Sequence, residues 1–130
     1  MRDDQKWMLK GALLPVLLGE SFSAHALSLK IFARCGVRSL VCDEKRSALS
    51  FADPTSSFFD LISASHGAAV MSALLHIAEN TDYLPILIPT NEHFARLVEE
   101  NRESLEPLFI ITDKENVWNC APFAALMEGE

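Results

Sequence analysis

The stretch Ala12–Ser23, with the sequence ALLPVLLGESFS, decides the fold of this chain. A short apolar run ends at Gly19, and the polar residues after it precede a helical pattern. This order is typical of the first strand, turn and helix of a parallel α/β sheet, because a strand covered on both faces reads as a continuous apolar run. Open sheets of this kind bind ligands at the carboxyl ends of their strands. The stretch therefore predicts a first strand, Leu13–Leu18, and a ligand-facing turn.

The composition indicates a single domain with a layered core, since the chain has 130 residues and 49% of them are hydrophobic. The formal net charge is -7, with the acidic residues spread along the chain. No basic face is visible, which argues against nucleic acid or an anionic membrane as a partner. No apolar run approaches the roughly 20 residues that a membrane-spanning helix needs.

Two features bear on the cellular location. The three cysteines, Cys35, Cys42 and Cys120, are an odd number without metal-ligand spacing, which favours free thiols in a reducing cytoplasm over a disulfide. The N-terminus resembles a secretory signal, but Asp3 and Asp4 reduce its positive charge and the cleavage point would fall within a helical pattern. We therefore expect a cytoplasmic protein, with the signal peptide as the weaker alternative.

The remaining pattern alternates between strands and helices. A helix that begins at Ser21 or Ser23 and ends at Gly36 follows the first strand. Its expected inner stripe consists of apolar residues at helical spacing, Phe22, Ala26, Leu29 and Phe32 or Ala33, broadened by Leu27, Ile31 and Cys35. The further predicted strands are Val37–Cys42, Ser57–Ile62, Tyr83–Pro89 and Pro107–Ile111, with helices that begin near Ser65 and at Thr90 or Asn91.

This order predicts an α/β fold: a three-layer, Rossmann-like, open and mainly parallel sheet of about five strands with helices on both faces. Residues 1–11 form an irregular lead-in, residues 12–112 form the α/β domain, and residues 113–130 form a tail. Pro15 is unexpected within the first strand, because proline cannot donate to a sheet ladder.

Polar residues at the predicted carboxyl ends of the strands are the candidate binding residues. They are Gly19, Glu20, Ser21, Asp43, Arg46, Thr90, Asn91 and Glu92. The turn at Gly19 has one glycine where a dinucleotide fingerprint carries three, so a pyrophosphate site is not expected.

Each candidate also has a purely structural interpretation. Ser21, Thr90 and Asn91 are suited to helix capping, and Asp43 to an ordinary turn. As binding residues, Asp43 and Glu20 would accept hydrogen bonds from a hydroxyl or ammonium group. The sequence leaves both interpretations open.

The histidines add no catalytic site to this set. His25 lies four residues after Ser21, but no acid is expected to complete a triad. The other three histidines show no metal-ligand spacing, so neither a catalytic residue nor a metal site is assigned.

Two segments resemble the N-terminal, pre-ATP-grasp domain of ATP-grasp enzymes, in particular the carbamoyl-phosphate-synthase-like and carboxylate-amine ligase group. They are VLLGESFSAHALSLKIFARCGVRSLVCDEKRSALS and PILIPTNEHFARLVEENRESLEPLFII. The resemblance covers about Leu14 to Thr112. It implies a Rossmann-like domain that forms the substrate side of an active site, and it places Gly19, Glu20, Ser21, Asp43, Thr90 and Glu92 on the family's binding edge.

The resemblance also implies a reaction and its cofactors. The family uses ATP and Mg²⁺, held mainly by the following ATP-grasp domain, to activate a carboxylate that an amine then attacks. In the tail, Phe123 and Leu126 resemble the start of that domain, but Asn119 and Cys120 stand where the family has Asp and Lys. We therefore expect a substrate-side or scaffolding domain that is not catalytic alone and that has no cofactor of its own.

The expected partners are a small-molecule carboxylate or amine and a separate ATP-grasp domain or subunit, and a homodimer stays open. A first alternative is a non-catalytic regulatory module that binds a small metabolite or nucleotide. A second is a flavodoxin-like or receiver-like signalling domain, which the missing acidic cluster of receivers disfavours.

Overall fold

A computed structural model of the chain describes residues 13–43, 48–61 and 67–127. It shows a five-stranded, wholly parallel sheet flanked by helices, which confirms the predicted Rossmann-like α/β fold. The strands are β1 (Leu13–Leu18), β2 (Ser39–Asp43), β3 (Ser56–Asp60), β4 (Leu84–Pro89) and β5 (Ile110–Ile111). The α-helices are α1 (Phe22–Cys35), α2 (Ala48–Ala52), α3 (Gly67–Glu79), α4 (Glu92–Glu100), α5 (Arg102–Leu105) and α6 (Ala121–Met127), and a 3₁₀ turn spans Val117–Asn119.

The strands lie in the order β3-β2-β1-β4-β5, so β1 is the central strand. It pairs with β4 along its whole length, from Leu13 to Leu18, but with β2 only from Val16 onward. Pro15 therefore lies at a level where β4 is the only paired neighbour of β1, and the β1–β2 ladder loses no bond to it.

The core forms two layers, one on each face of the sheet. Val16 and Leu18 face α3 and α4, while Leu17 faces α1 and α6, as expected when successive side chains of a strand point to opposite sides. All three side chains are completely buried. The continuous apolar run that predicted β1 thus follows from its burial on both faces.

The predicted inner face of α1 is confirmed for Leu27, Ile31 and Cys35 and is wrong for Phe22 and Leu29. The residues that α1 buries are Ala24, His25, Leu27, Ser28, Ile31 and Cys35, whereas Phe22 is 78% exposed and Leu29 is 48% exposed. The helix carries apolar residues around most of its circumference, so periodicity alone offered two stripes. The side of α1 that packs against the sheet includes His25 and Ser28.

Several predicted boundaries differ from the observed ones. β5 begins at Ile110 rather than at Pro107, because the N–H groups of Leu108 and Phe109 donate to the carbonyl of Leu105 and extend the turn that ends α5. β3 ends at Asp60, and the part of its predicted range at Ile62 lies outside the described residues. The predicted start of the second major helix near Ser65 also lies outside them, and α3 is described from Gly67.

Part of the predicted tail packs into the core. Val117 and Phe123 are completely buried, and Leu126 is nearly so, in the same cluster as Leu17 and Ile31. The division of the chain after Thr112 stays a prediction, but residues 117–127 contribute directly to the layer that covers one face of the sheet.

Two phenylalanines allow a direct test of this packing. Replacing Phe123 with alanine should lower the free energy of unfolding by about 3–5 kcal/mol, because it removes a completely buried ring and leaves a cavity. The matched variant Phe22→Ala removes a ring that is 78% exposed, and its effect should stay within about 0.5 kcal/mol. Urea unfolding followed by circular dichroism measures both, and equal losses would contradict the packing of α6 in the core.

Candidate functional site

The carboxyl ends of β1, β2 and β4 meet at one edge of the sheet and are joined by backbone hydrogen bonds. The Gly19 N–H donates to the carbonyl of Cys42 at 2.8 Å, and the Thr90 N–H donates to the carbonyl of Leu18 at 2.9 Å. The structure therefore brings together the residues that follow all three strands. This edge includes the point between β1 and β4 where the direction of strand order reverses, which is the usual ligand position in open α/β sheets.

Gly19 packs closely against Thr90 and Asn91, the two residues that follow β4. Its φ of 106° lies in the region that favours glycine, and a Cβ atom there would be 2.8 Å from both Thr90 Oγ1 and Asn91 Nδ2. Thr90 Oγ1 donates to the carbonyl of Leu18 at 2.7 Å and also contacts that of Gly19 at 3.1 Å. Thr90 thus locks the end of β1 to the end of β4.

Two of the candidate residues are helix caps. Ser21 Oγ accepts a hydrogen bond from the Ala24 N–H at 3.2 Å, and Asn91 Oδ1 accepts one from the Phe94 N–H at 2.9 Å. Ser21 and Asn91 are therefore the N-caps of α1 and α4, and their structural interpretation is confirmed. The cap uses only the oxygen of the Asn91 amide, so its nitrogen can still donate to a ligand.

Asp43 and Glu92 have different environments at the same edge. Asp43 Oδ2 accepts a hydrogen bond from the Glu20 N–H at 2.7 Å, so this carboxylate shapes the turn after β1. The side chain of Glu92 is 91% exposed and lies 3.8 Å from the guanidinium of Arg96, at the positive end of the α4 dipole. Arg46, the remaining candidate, lies outside the described residues.

A buried chain of three ionisable side chains lies directly behind this edge. His25 Nδ1 is 2.7 Å from Asp53 Oδ2, and His25 Nε2 is 3.3 Å from Glu20 Oε1. The three side chains are between 1% and 5% exposed. Sequence reasoning found no acid for His25, whereas the structure places two carboxylates against its ring. Ser21 is occupied as a cap, so it forms no triad with His25 and an acid.

Asp53 is the centre of this polar cluster. Its carboxylate accepts hydrogen bonds from the Thr55 N–H and hydroxyl, the Ser56 hydroxyl and His25. Burial alone would raise the pKa of Asp53, but the hydrogen bonds from His25, Thr55 and Ser56 outweigh it and lower the pKa to about 2. Asp53 thus ties α1 to the residues that begin β3.

No signal in the sequence identifies the Asp53–His25 contact. The two residues are 28 positions apart, and Asp53-Pro54 reads as an ordinary turn. The only usable sign is that His25 and Ser28 lie among the apolar residues of α1, on the buried side that they share with Leu27 and Ile31.

Two surface depressions lie beside the loop that follows β5. The crevice, of about 200 Å³, is lined by Pro89, Asn91, Glu92, Ala95, Lys114 and Glu115 among others. The groove, of about 410 Å³, lies on the other side of this loop and is lined by Phe22, Ala26, Lys30, Lys114, Glu115 and Trp118 among others. A further depression of about 320 Å³ lies at the amino edge of the sheet, away from the candidate residues.

Asp113 fixes the loop between the crevice and the groove. Its Oδ1 atom accepts hydrogen bonds from the N–H groups of Glu115 and Asn116 at 3.0 and 2.9 Å. These hydrogen bonds fix the conformation of the loop, in which Lys114 and Glu115 are exposed and line both depressions. Sequence reasoning did not include these two residues in the candidate site.

None of the three cysteines forms a disulfide, and burial raises the pKa of the Cys42 and Cys120 thiols. Among residues 13–43, 48–61 and 67–127, no group of three or more metal-ligating side chains is arranged to hold an ion. Within the same ranges, no helix has both the length and the apolar character needed to cross a membrane.

Comparison of the chain with protein family models, with curated protein sequences and with solved structures found no match in any of the three. The resemblance to the pre-ATP-grasp domain therefore rests on the sequence segments alone.

Gly19 provides a test of the locked edge. The variant Gly19→Ala should lose about 2–4 kcal/mol of stability, since it combines an unfavourable φ with a clash against Thr90 and Asn91. Gly36→Ala is the matched control, because Gly36 also has a positive φ, 69°, but is exposed at the end of α1. Thermal unfolding of both variants should show the larger loss for Gly19→Ala, and an equal loss would contradict the close approach.

Asp53 predicts a specific dependence of stability on pH. Because the pKa of Asp53 falls from 3.8 to about 2 on folding, the carboxylate stabilises the folded state fully above about pH 4 and loses this effect as the pH falls toward 2. Asp53→Asn should therefore cost about 2 kcal/mol at neutral pH, from the 1.36 kcal/mol that one pKa unit represents.

The same variant should also show a smaller loss of stability than the native chain between about pH 4 and pH 2. Urea unfolding at a series of pH values measures both effects. Asp82→Asn, which changes an exposed carboxylate, is the control and should follow the native pH profile. If Asp53→Asn and the native chain lost stability in parallel below pH 4, the ionised hydrogen-bonded carboxylate would be refuted.

Proposed function

We propose that this chain is the substrate-side domain of an ATP-grasp carboxylate–amine ligase system and that it binds a small carboxylate or amine at the carboxyl edge of its sheet. The observation that carries the proposal is the convergence of the turns after β1, β2 and β4 at this edge, beside the crevice. The strand order and the two resembling segments support the same assignment. The domain is not catalytic alone, and a separate ATP-grasp domain or subunit supplies the nucleotide site.

The crevice offers groups of both charges for a small substrate. The Lys114 ammonium and the Asn91 amide nitrogen can donate to a carboxylate, and the Glu92 carboxylate can accept from an amine. These side chains bind and orient a substrate. None of them is placed as a nucleophile or paired with a base.

Two of the remaining candidate residues support the crevice. Gly19 packs against Thr90 and Asn91, and Thr90 joins the two central strands. A wall fixed in advance loses little conformational entropy when a ligand binds. Ser21 and Asp43 instead shape the turn after β1 and the start of α1, outside the lining of the crevice.

In such a ligase, ATP bound with Mg²⁺ by the second domain would supply the phosphoryl group that activates the carboxylate, and ADP and then phosphate would be the leaving groups. The contribution of this chain is to orient one of the two reacting groups and to exclude water around it. Its free cysteines fit a cytoplasmic location, which is part of the proposal.

A regulatory module that binds a small metabolite or nucleotide is the second candidate. It is favoured by the binding groups of the crevice, Asn91, Glu92 and Lys114, none of which is placed as a nucleophile. The two functions differ in where a nucleotide binds.

A titration followed by ¹⁵N NMR tests the proposal. Glycine, which carries both an amine and a carboxylate, should shift the amides of Thr90–Ala95 and Asp113–Glu115 saturably. Glu92→Gln and Lys114→Gln should each weaken this binding about fivefold, or roughly 1 kcal/mol, because each removes one charge partner. Glu100→Gln, on an exposed helix end, is the control and should bind as the native chain does.

The nucleotide arm of the experiment separates the two functions. ATP with Mg²⁺ should cause no saturable shifts in this chain alone, and saturable nucleotide binding would overturn the ligase role in favour of the regulatory module. Absence of glycine, acetate and ethylamine binding in the crevice would show that the edge is structural only.

A further inference from the structure

The groove has a composition unlike the rest of the surface. It runs between the outer side of α1, at Phe22, Ala26 and Lys30, and the loop that carries Lys114 and Trp118. Its volume of about 410 Å³ lies within the range of small-molecule sites. The chain as a whole is acidic, yet two cations and two aromatic rings line this one depression.

The two cations of the groove differ from the other basic side chains that the structure describes. Arg96 and Arg102 pair with glutamates, Arg38 donates to the carbonyls of Pro54 and Ser56, and Arg34 lies over the ring of Trp118. Among the Lys and Arg side chains in ranges 13–43, 48–61 and 67–127, only those of Lys30 and Lys114 form no hydrogen bond, ion pair or ring contact. Both line the groove.

The two aromatic residues of the groove differ in their relation to the core: Trp118 packs partly against it, and Phe22 does not. Phe22 is 78% exposed, and it is the first residue of α1, where the helix needs no large side chain. Trp118 is half-buried, with the Arg34 guanidinium 4.4 Å from its ring centre and the Phe123 ring against its edge at 6.3 Å. Contacts on Trp118 from two directions fix the orientation of this ring.

The charges of the groove favour a ligand with a single negative charge. Lys30 and Lys114 contribute two positive charges and Glu115 one negative charge, and the first turn of α1 contains no acidic residue. These three side chains have a net charge of +1, which a single negative charge on the ligand neutralises. A dianion would leave one negative charge uncompensated near the Glu115 carboxylate, and a cation would be repelled by the two lysines. The exposed ring of Phe22 and the half-buried ring of Trp118 provide a surface for a flat apolar group.

We propose that the groove binds an aromatic carboxylate, with its ring against Phe22 and Trp118 and its carboxylate between Lys30 and Lys114. The inference does not depend on the ligase role, because binding in the groove is a property of this chain alone. It shares Lys114 with the crevice, but Phe22 and Lys30 belong to the groove only. Their variants therefore separate the two sites.

Phenylacetate is the probe for this site. In ¹⁵N NMR titrations it should shift the amides of Phe22, Ala26, Glu115 and Trp118 saturably, with a dissociation constant below about 1 mM. Trp118 labelled with 5-fluorotryptophan gives a second signal, and Trp7→Phe identifies its resonance. Lys30→Gln and Phe22→Ala should each weaken binding at least about fivefold, which corresponds to roughly 1 kcal/mol.

Matched variants control for net charge and for ring removal. Arg102→Gln changes the same charge on α5, and Phe51→Ala removes an exposed ring that does not line the groove. Both should bind phenylacetate as the native chain does. A loss in these variants equal to that in Lys30→Gln and Phe22→Ala would overturn the assignment to the groove.

Ligand variants test the chemistry. Phenethylamine, which carries a positive charge on the same ring, should not bind, and phenyl phosphate should bind more weakly than phenylacetate. Equal binding of phenethylamine would overturn the charge argument, and tighter binding of phenyl phosphate would overturn the carboxylate in favour of a phosphate ligand. Absence of phenylacetate binding would overturn the proposal while leaving the crevice and the ligase role to their own test.

Discussion

The contact of Gly19 with Thr90 and Asn91 is the constraint on which the functional edge depends. The two central strands are adjacent in the sheet but separated by some 70 residues of sequence, since Thr90 Oγ1 bonds to carbonyls 71 and 72 positions away. A side chain at position 19 would occupy the space of Thr90 Oγ1 and Asn91 Nδ2. Because Asn91 also caps α4, the same contact sets where that helix begins and therefore where Glu92 lies. The shape of the crevice thus follows from one residue without a side chain.

The Asp53–His25–Glu20 chain has a comparable role on the other side of β1. Burying two carboxylates is costly unless they are hydrogen-bonded, and here each one meets a nitrogen of the same imidazole. Forming both contacts as hydrogen bonds requires one proton between His25 and Asp53 and another between His25 and Glu20. The arrangement connects the turn after β1, the inner face of α1 and the residues that begin β3. It holds the start of α1 in place while leaving its outer face exposed.

The sequence was informative where burial dictates residue type and uninformative where contacts join distant residues. The apolar runs of β1 and β4 predicted a parallel sheet because both faces of these strands are covered, and the serine and asparagine at the helix starts predicted the caps. The inner face of α1 was predicted only in part, because Phe22 and Leu29 are apolar but exposed, while His25 and Ser28 are polar but buried. No local pattern shows that the Asp53 carboxylate will form a hydrogen bond with His25. The loop that carries Lys114 has only the pattern of a polar link.

The outer face of α1 now has a physical interpretation. Helix propensity does not require Phe22 at the first position, and core packing leaves it exposed. An exposed phenylalanine leaves apolar surface in water that burial would remove at a gain of about 25 cal/mol per Å². In the same region, Lys30 and Lys114 lack partners although the described part of the chain contains many more acids than bases. The exposed apolar surface is poorly suited to water, and a ligand with a ring and one carboxylate would cover this surface while its charge pairs with the adjacent ammonium groups.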